Sequence, residues 1–368
     1  MTLIKWDEEL NEMETTEEDE DWYDYNEKRW ANAKTKDGSY WVWIPRYAYK
    51  ITSCFHSNCS GYAGDIEIKF LKEITNETAD GTKLEINIYY YGERDTSMRY
   101  LIHPSFTFGE EELAGFWVAK FEPSGSSDDI NIVPNASSLR DMSIGHQFDA
   151  ALNMKNNSKY GWNASEVDTH MMKNTEWGAV VYLSQSEYGA NEEIWNNSYN
   201  GYRTGCGGSS VNASNQSTCY EYTTTNGQKA STTHNIYGVY DMSGGAYDRV
   251  AAYVDNGHDY LATYGQSIIN ADSKYKDVYV SLGDTQQGNY EANKNKYGDA
   301  VYETSLNYSD YSSWYEDKSS MPYSGHPWFP RGGFFSSDTY AGVFAFDNGY
   351  SNPNSRIGFR LVVVPILP

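Results

Sequence analysis

The chain has 368 residues, and its 28 Lys and Arg stand against 51 Asp and Glu, a formal net charge of −23. That balance argues against nucleic acid as a partner and against anionic membranes, because neutralising phosphate requires the opposite sign. No apolar run is long enough to cross a bilayer, so no membrane insertion is expected, and the opening residues show neither the basic nor the apolar region of a signal peptide.

Tyr, Asn, Ser and Gly dominate the composition, and 16% of the residues are aromatic. These are the residues of turns, strands and recognition loops. Residues 1–38 are acidic and weakly patterned, and the like charges predict a flexible or lightly docked lead segment. Residues 39–368 read as a single domain.

The alternation in residues 39–51 (SYWVWIPRYAYKI) predicts the first strand, with Pro45 confining it to an edge or a bulge. Residues 65–74 and 83–93 read as two strands joined around Asp80-Gly81, a strong hairpin signal. Residues 115–124 (GFWVAKFEPS) return to the aromatic alternation. Two helices follow. The first spans 139–157, with Leu139, Met142, Phe148 and Leu152 at roughly helical spacing and Gly145 weakening its middle. The second lies within 168–189, with Met172, Trp177, Val180, Val181 and Leu183 near one face, Thr175 as N-cap and Gly189 as stop. Short strands and long loops are expected from 190 to 330. Loops of that length in a compact domain are usually functional or stapled.

The four cysteines form two close pairs, Cys54/Cys59 and Cys206/Cys219, with neither the spacing nor the histidines of a zinc site. Two structural disulfides are expected, each pinning a Gly/Ser/Asn-rich excursion, which places the chain in an oxidising extracellular setting. Free thiols in a cytosolic protein are the alternative.

No HExxH, Walker, GxSxG or EF-hand pattern occurs, so no catalytic residues and no metal ligands are assigned. His170, His234 and His258 lie near motif-like segments, but general-base work needs a positioned partner, and structural roles are expected for them. The closing stretch, 331–364, sets a polar-aromatic loop between an RGG turn and an apolar strand. Tyr and Phe bury large area at small entropic cost, and Asn, Ser and Asp supply adaptable hydrogen bonds. Candidate ligand contacts are Trp328, Phe334, Phe335, Ser337, Asp338, Tyr340, Asp347, Asn348, Tyr350, Asn352, Asn354 and Arg356. Phe344, Phe346 and Phe359 are assigned to the core, whereas Tyr340 and Tyr350 are expected to be exposed because their neighbours are polar.

Five segments, GFWVAKFEPS, MMKNTEWGAVVYLSQS, NIYGVYDMSGGAYDRV, RGGFF and IGFRLVV, together resemble the formylglycine-generating-enzyme family, a variant of the C-type-lectin fold. The match covers roughly 39–51 and 115–368 and leaves 52–110 as a β-hairpin insertion. The resemblance implies an α+β, β-rich, C-type-lectin-like fold with two main helices and long loops. Trp177 and Met242 are then core residues, and Asp241 caps a turn.

The family's oxidases carry a cysteine pair after the RGG turn, which holds copper and reacts with the substrate thiol. Ser337 and Ala341 or Gly342 stand near those places, and a hydroxyl replaces a thiolate neither as ligand nor as nucleophile. No such oxidase activity is expected. In the family's calcium-associated stretch Gly245 stands for Asn and Asp248 for Glu, so one ligand is lost and one shortened. Calcium is therefore the one cofactor left in question, and otherwise none is expected.

The C-terminal loop also resembles the variable segment of ligand-binding proteins of this fold on phages and bacteria. The expectation is a non-enzymatic receptor-binding protein on a phage tail or bacterial surface, recognising a host-surface protein or glycan. The alternatives are a homo-oligomeric structural subunit of a filament or virion, and an enzyme of the same fold that uses other residues.

Overall fold

The computed structural model describes residues 1–84 and 100–366. Four strands come first: β1 (Thr2–Trp6), β2 (Glu12–Thr15), β3 (Asn32–Lys34) and β4 (Tyr40–Pro45). The strand expected at 39–51 breaks at Arg46. Its second half, β5 (Tyr47–Ile51), pairs with β6 (Ile66–Phe70) on one side and β7 (Leu101–Ile102) on the other. Pro45 does not confine β4 to an edge, since β4 lies inside a sheet. The missing N–H falls at the strand's end, where the chain turns from one sheet into the next. The partner strand expected at 83–93 lies almost wholly outside the described residues.

Two short hairpins, β8 (Thr107–Phe108) with β9 (Glu111–Glu112) and β11 (Ser124–Ser126) with β12 (Asp129–Asn131), flank β10 (Gly115–Ala119). Next come α1 (Ile144–Asn153), β13 (Val167–Met171), α2 (Asn174–Ser184), β14 (Cys206–Gly207), β15 (Tyr220–Glu221) and the single turn α3 (Thr225–Gln228). The last third holds β16 (Tyr247–Asp255), α4 (Asp259–Asn270), β17 (Asp277–Val280), α5 (Gln286–Ala292), β18 (Trp328–Arg331), β19 (Ile357–Phe359) and β20 (Leu361–Pro365). The architecture is mixed α+β and rich in strands.

The largest sheet runs β13-β20-β10-β4-β3-β1-β2, with antiparallel neighbours throughout. Its first surprise is β1 to β3. Residues 1–38, expected to be a flexible lead, instead extend this sheet and bury Ile4, Trp6, Trp22 and Trp30. The Trp22 and Trp30 indoles donate to the Asn32 and Tyr188 carbonyls at 3.1 and 2.8 Å. Burying such large aromatic side chains outweighs the repulsion among their acidic neighbours. Some of those acids are also paired, as in Lys5–Asp19 and Lys34–Glu12, both at 2.7 Å.

The period-two pattern sorts side chains to the two faces of the sheet. Val42, Ile44, Phe116, Val118, Val362 and Val364 pack with α2, while Trp41, Ala119, Leu361 and Val363 pack with Ile144 and Phe148 of α1. α2 is buried nearly all round, which explains its apolar run. Its start is set by the Glu176 carboxylate, which accepts the Lys173 N–H at 2.8 Å, rather than by Thr175. Beyond its end, a side chain on Gly189 would strike the Leu183 and Ser184 carbonyls. The described part of 52–110 joins the same core through Ile66, Ile68, Leu101, Phe106 and Phe108.

The second sheet holds the C-terminal loop. β16 pairs with β17 in parallel, with β18 in antiparallel and with β19 in parallel. Asp248 stands opposite both Arg331 and Gly358, and Arg249 opposite both Pro330 and Phe359. The two ends of the C-terminal loop are therefore fixed to the same two residues of one buried strand. Two disulfides, Cys54–Cys59 and Cys206–Cys219, staple other loops. Among the described residues no helix is long and apolar enough to cross a membrane.

Candidate functional site

The loop between β18 and β19 starts with an RGG turn whose glycines have φ of +79° and +75°, a region that side chains disfavour. A Cβ on Gly333 would also lie 2.6 Å from the Ala341 Cα. From there the loop is tied down from beneath. The Trp177 indole donates to the Val343 carbonyl at 2.8 Å, and the buried Asp317 carboxylate accepts the Phe344 N–H at 2.8 Å. Phe344, Phe346 and Phe359 fill the core, as their assignment required.

Arg249, which is not among the candidate contacts, is the strongest tie. Fully buried on β16, its guanidinium donates to the Tyr350 and Asn352 carbonyls at 2.7 and 2.8 Å and to the Met142 carbonyl at 2.9 Å. Burial works against its charge, and these acceptors oppose that penalty. An arginine in the apolar run YDRVAAYV was the available signal.

Ten of the twelve candidate contacts separate into three groups and two misassignments. In the first group Phe334 and Phe335 lie 5.4 Å apart, centroid to centroid. Phe334 stacks on Tyr247 at 5.3 Å, Phe335 meets Tyr202 edge-on at 4.7 Å, and Arg356 lies over the Phe334 ring at 5.2 Å. Asp347 borders this group, its carboxylate accepting from the Tyr247 hydroxyl at 3.4 Å and pairing with Lys318 at 2.6 Å. In the second group Tyr340, 44% exposed, packs on Tyr311 at 4.3 Å beside exposed Asp338. In the third, Tyr350, 46% exposed, lies 4.0 Å from His326 and 5.9 Å from Tyr260, next to exposed Asn352.

Asn348 is half-buried and turned onto Ser320, and the Asn354 side chain accepts the Arg356 N–H. Trp328 is the first misassignment. It is fully buried against Tyr253 and α4, where Gly265 leaves room for its ring, so it contacts no ligand. Ser337 is the second: only 5% exposed, its hydroxyl accepts the Phe334 N–H at 3.0 Å.

Neighbouring loops complete this surface. The Asn215 N–H reaches the Phe335 carbonyl at 2.9 Å from within the Cys206–Cys219 loop, and the Asn196 amide reaches the Asp338 carbonyl at 3.0 Å. Beside Tyr202 an open groove of about 730 Å³ is lined by residues including Ser124, Asn131, Ser137, Arg140, Asp141 and Ser355. Tyr202 and Arg140 carry no signal in the sequence, since only folding brings them to Phe335.

The conspicuous carboxyls lie below the surface. Glu122, Asp241 and Asp248 are all buried. Burial, then the neighbouring Asp241 and Asp248, push Glu122 far above the usual carboxylate range. Asp248 is raised to about 6 by burial, with Arg360 opposing the shift. Asp241, expected to cap a turn, instead ties distant segments together, accepting from the Gly205 N–H at 2.9 Å, the Asn197 amide at 2.8 Å and the Glu122 N–H at 3.3 Å. The histidines in motif-like segments also hold structure. His170 is buried against Glu176 at 2.9 Å, His258 caps α4, and His234 lies 3.9 Å from Glu192. Among the described residues no group of three His, Cys, Asp or Glu side chains is placed to hold a metal ion.

Neither a protein-family model nor a curated protein matches the chain.

Proposed function

We propose that this chain is a non-enzymatic recognition protein. It binds a host-surface molecule through the loop between β18 and β19 and is displayed on a phage tail or bacterial surface. The observation that carries this reading is the anchoring of the loop. Both ends stand opposite Asp248 and Arg249 of β16, and Arg249 holds the carbonyls of Tyr350 and Asn352, while the Tyr340 and Tyr350 rings face water. A loop ordered before it meets its ligand loses little entropy on binding.

The finer fold reading, a C-type-lectin-like domain of the formylglycine-generating type, is supported by the way the motif segments meet. Arg360 of IGFRLVV bonds the Asp248 carboxylate and the carbonyls of Ala119 and Tyr240 at 2.9–3.0 Å, joining three of the five matched segments. The two disulfides favour an oxidising, extracellular setting.

The test is binding of the purified protein to host cells and to a glycan array, with a Tyr340→Ala/Tyr350→Ala double variant. Both rings are exposed, so the variant should fold and lose most of its binding. Undiminished binding would refute this placement of the site.

A further inference from the structure

In a chain this acidic, two guanidiniums left outside ion pairs beside the proposed face are informative. Arg140 lies flat over the Tyr202 ring at 3.7 Å, and Arg356 lies over Phe334 at 5.2 Å. The Arg140 guanidinium donates to the carbonyls of Ser138 and Ser355, and the second of these immediately precedes Arg356. Among the described residues no carboxylate lies within ion-pair distance of either arginine. Both act on the Tyr202 hydroxyl: burial raises its pKa, and the two arginines pull it down.

We infer that this corner binds an acidic saccharide, a sugar ring carrying a carboxylate. The carboxylate sits between Arg140 and Arg356, and the ring lies in the adjoining groove against Val133, Ala136 and Leu139. This deepens the reading proposed above and rests on it. Guanidinium N–H groups match the two oxygens of a carboxylate, and both stacked arginines keep donors free for them. Val133, Ala136 and Leu139 offer apolar surface to a sugar's C–H face, and Ser137 and Asn131 supply the groove with polar groups of the kind hydroxyls need.

The nearby acids do not cancel the attraction. Glu122, beneath Ser138, is driven toward its neutral form by burial, and Asp347 is already paired with Lys318. Asp141, exposed on the groove's rim, is the one that opposes the ligand. A peptide bearing acidic side chains would also meet the arginines but would leave the groove's polar lining unused, so the saccharide is favoured.

The experiment is titration of the full chain with sialyllactose, a galacturonic acid trimer, neutral lactose and a hexaglutamate peptide, at low and at physiological salt. An acidic saccharide should bind in preference to lactose, and more weakly as salt rises. Arg356→Gln, an exposed change, and Arg140→Gln should each weaken binding about tenfold to a hundredfold. Asp141→Asn should tighten it by about threefold, and asparagine accepts the positive φ of that position. Equal binding of lactose, unchanged affinity in both arginine variants, preference for hexaglutamate, or failure of every acidic saccharide would each overturn the inference. If cell binding then remains sensitive to Tyr340→Ala/Tyr350→Ala, the face survives and only its ligand class is wrong.

Discussion

Arg249 and Arg356 serve the same loop from opposite sides. Arg249 lies beneath it, fully buried, with its two terminal nitrogens bonded to the carbonyls of Tyr350, Asn352 and Met142. Arg356 lies above it, exposed, with a phenylalanine ring under its guanidinium. One residue type thus gives structure in one place and an exposed guanidinium in the other. The difference is solvent. A buried guanidinium must find acceptors within the protein, whereas an exposed one is satisfied by water and can exchange that water for a ligand.

The sharpest way to break this comparison is to make the same substitution at both sites. Arg249→Met removes the donor from three carbonyls, one buried and two part-buried, and the expected loss is about 3–5 kcal/mol in denaturant unfolding, with the loop between β18 and β19 opened to proteolysis. Next in size is the staple beside Phe335. A Cys206→Ser/Cys219→Ser double variant should lose about 3 kcal/mol, read as a lower Tm, because the unfolded chain regains the freedom of that loop.

A buried acid away from the loop extends the comparison to pH. Glu303 accepts hydrogen bonds from Tyr49 and Tyr182 at 2.8 and 2.9 Å, and burial pushes it from 4.5 up to about 7. The folded chain therefore holds this proton more tightly than the unfolded chain. Its contribution is complete below about pH 4.5 and is lost as pH rises through 7, on the order of 3 kcal/mol in all. Glu303→Gln should flatten that part of the stability–pH curve, and an unchanged curve would assign the dependence to other groups. The smallest effect is expected at the surface: Arg356→Met should shift unfolding by less than about 0.5 kcal/mol.

Exposure along the final loop was legible where neighbours in sequence are also neighbours in space. Tyr340 and Tyr350 sit among polar residues and face water, and Phe344 and Phe346 sit among small apolar ones and are buried. Trp328 was misread because its packing partners, Tyr253 and Gly265, come from a strand and a helix some 60 to 75 positions away. α4 was missed because only Leu261, Gly265 and Ile268 of its twelve residues are buried, too few for a clear helical period. The lead segment was misread because its acids were counted and its tryptophans were not placed.

By itself the sequence determined the chemistry on offer: a polar-aromatic loop between an RGG turn and an apolar strand, two cysteine pairs, and an excess of negative charge. Composition and short-range alternation depend only on local order, so they survive reading in one dimension. Only the tertiary structure decided which arginines would be buried and which left open. It also decided that Arg140 and Tyr202 would meet Phe335 and Arg356. Solvent exclusion depends on every element packed around a group, and no local stretch of sequence contains that information.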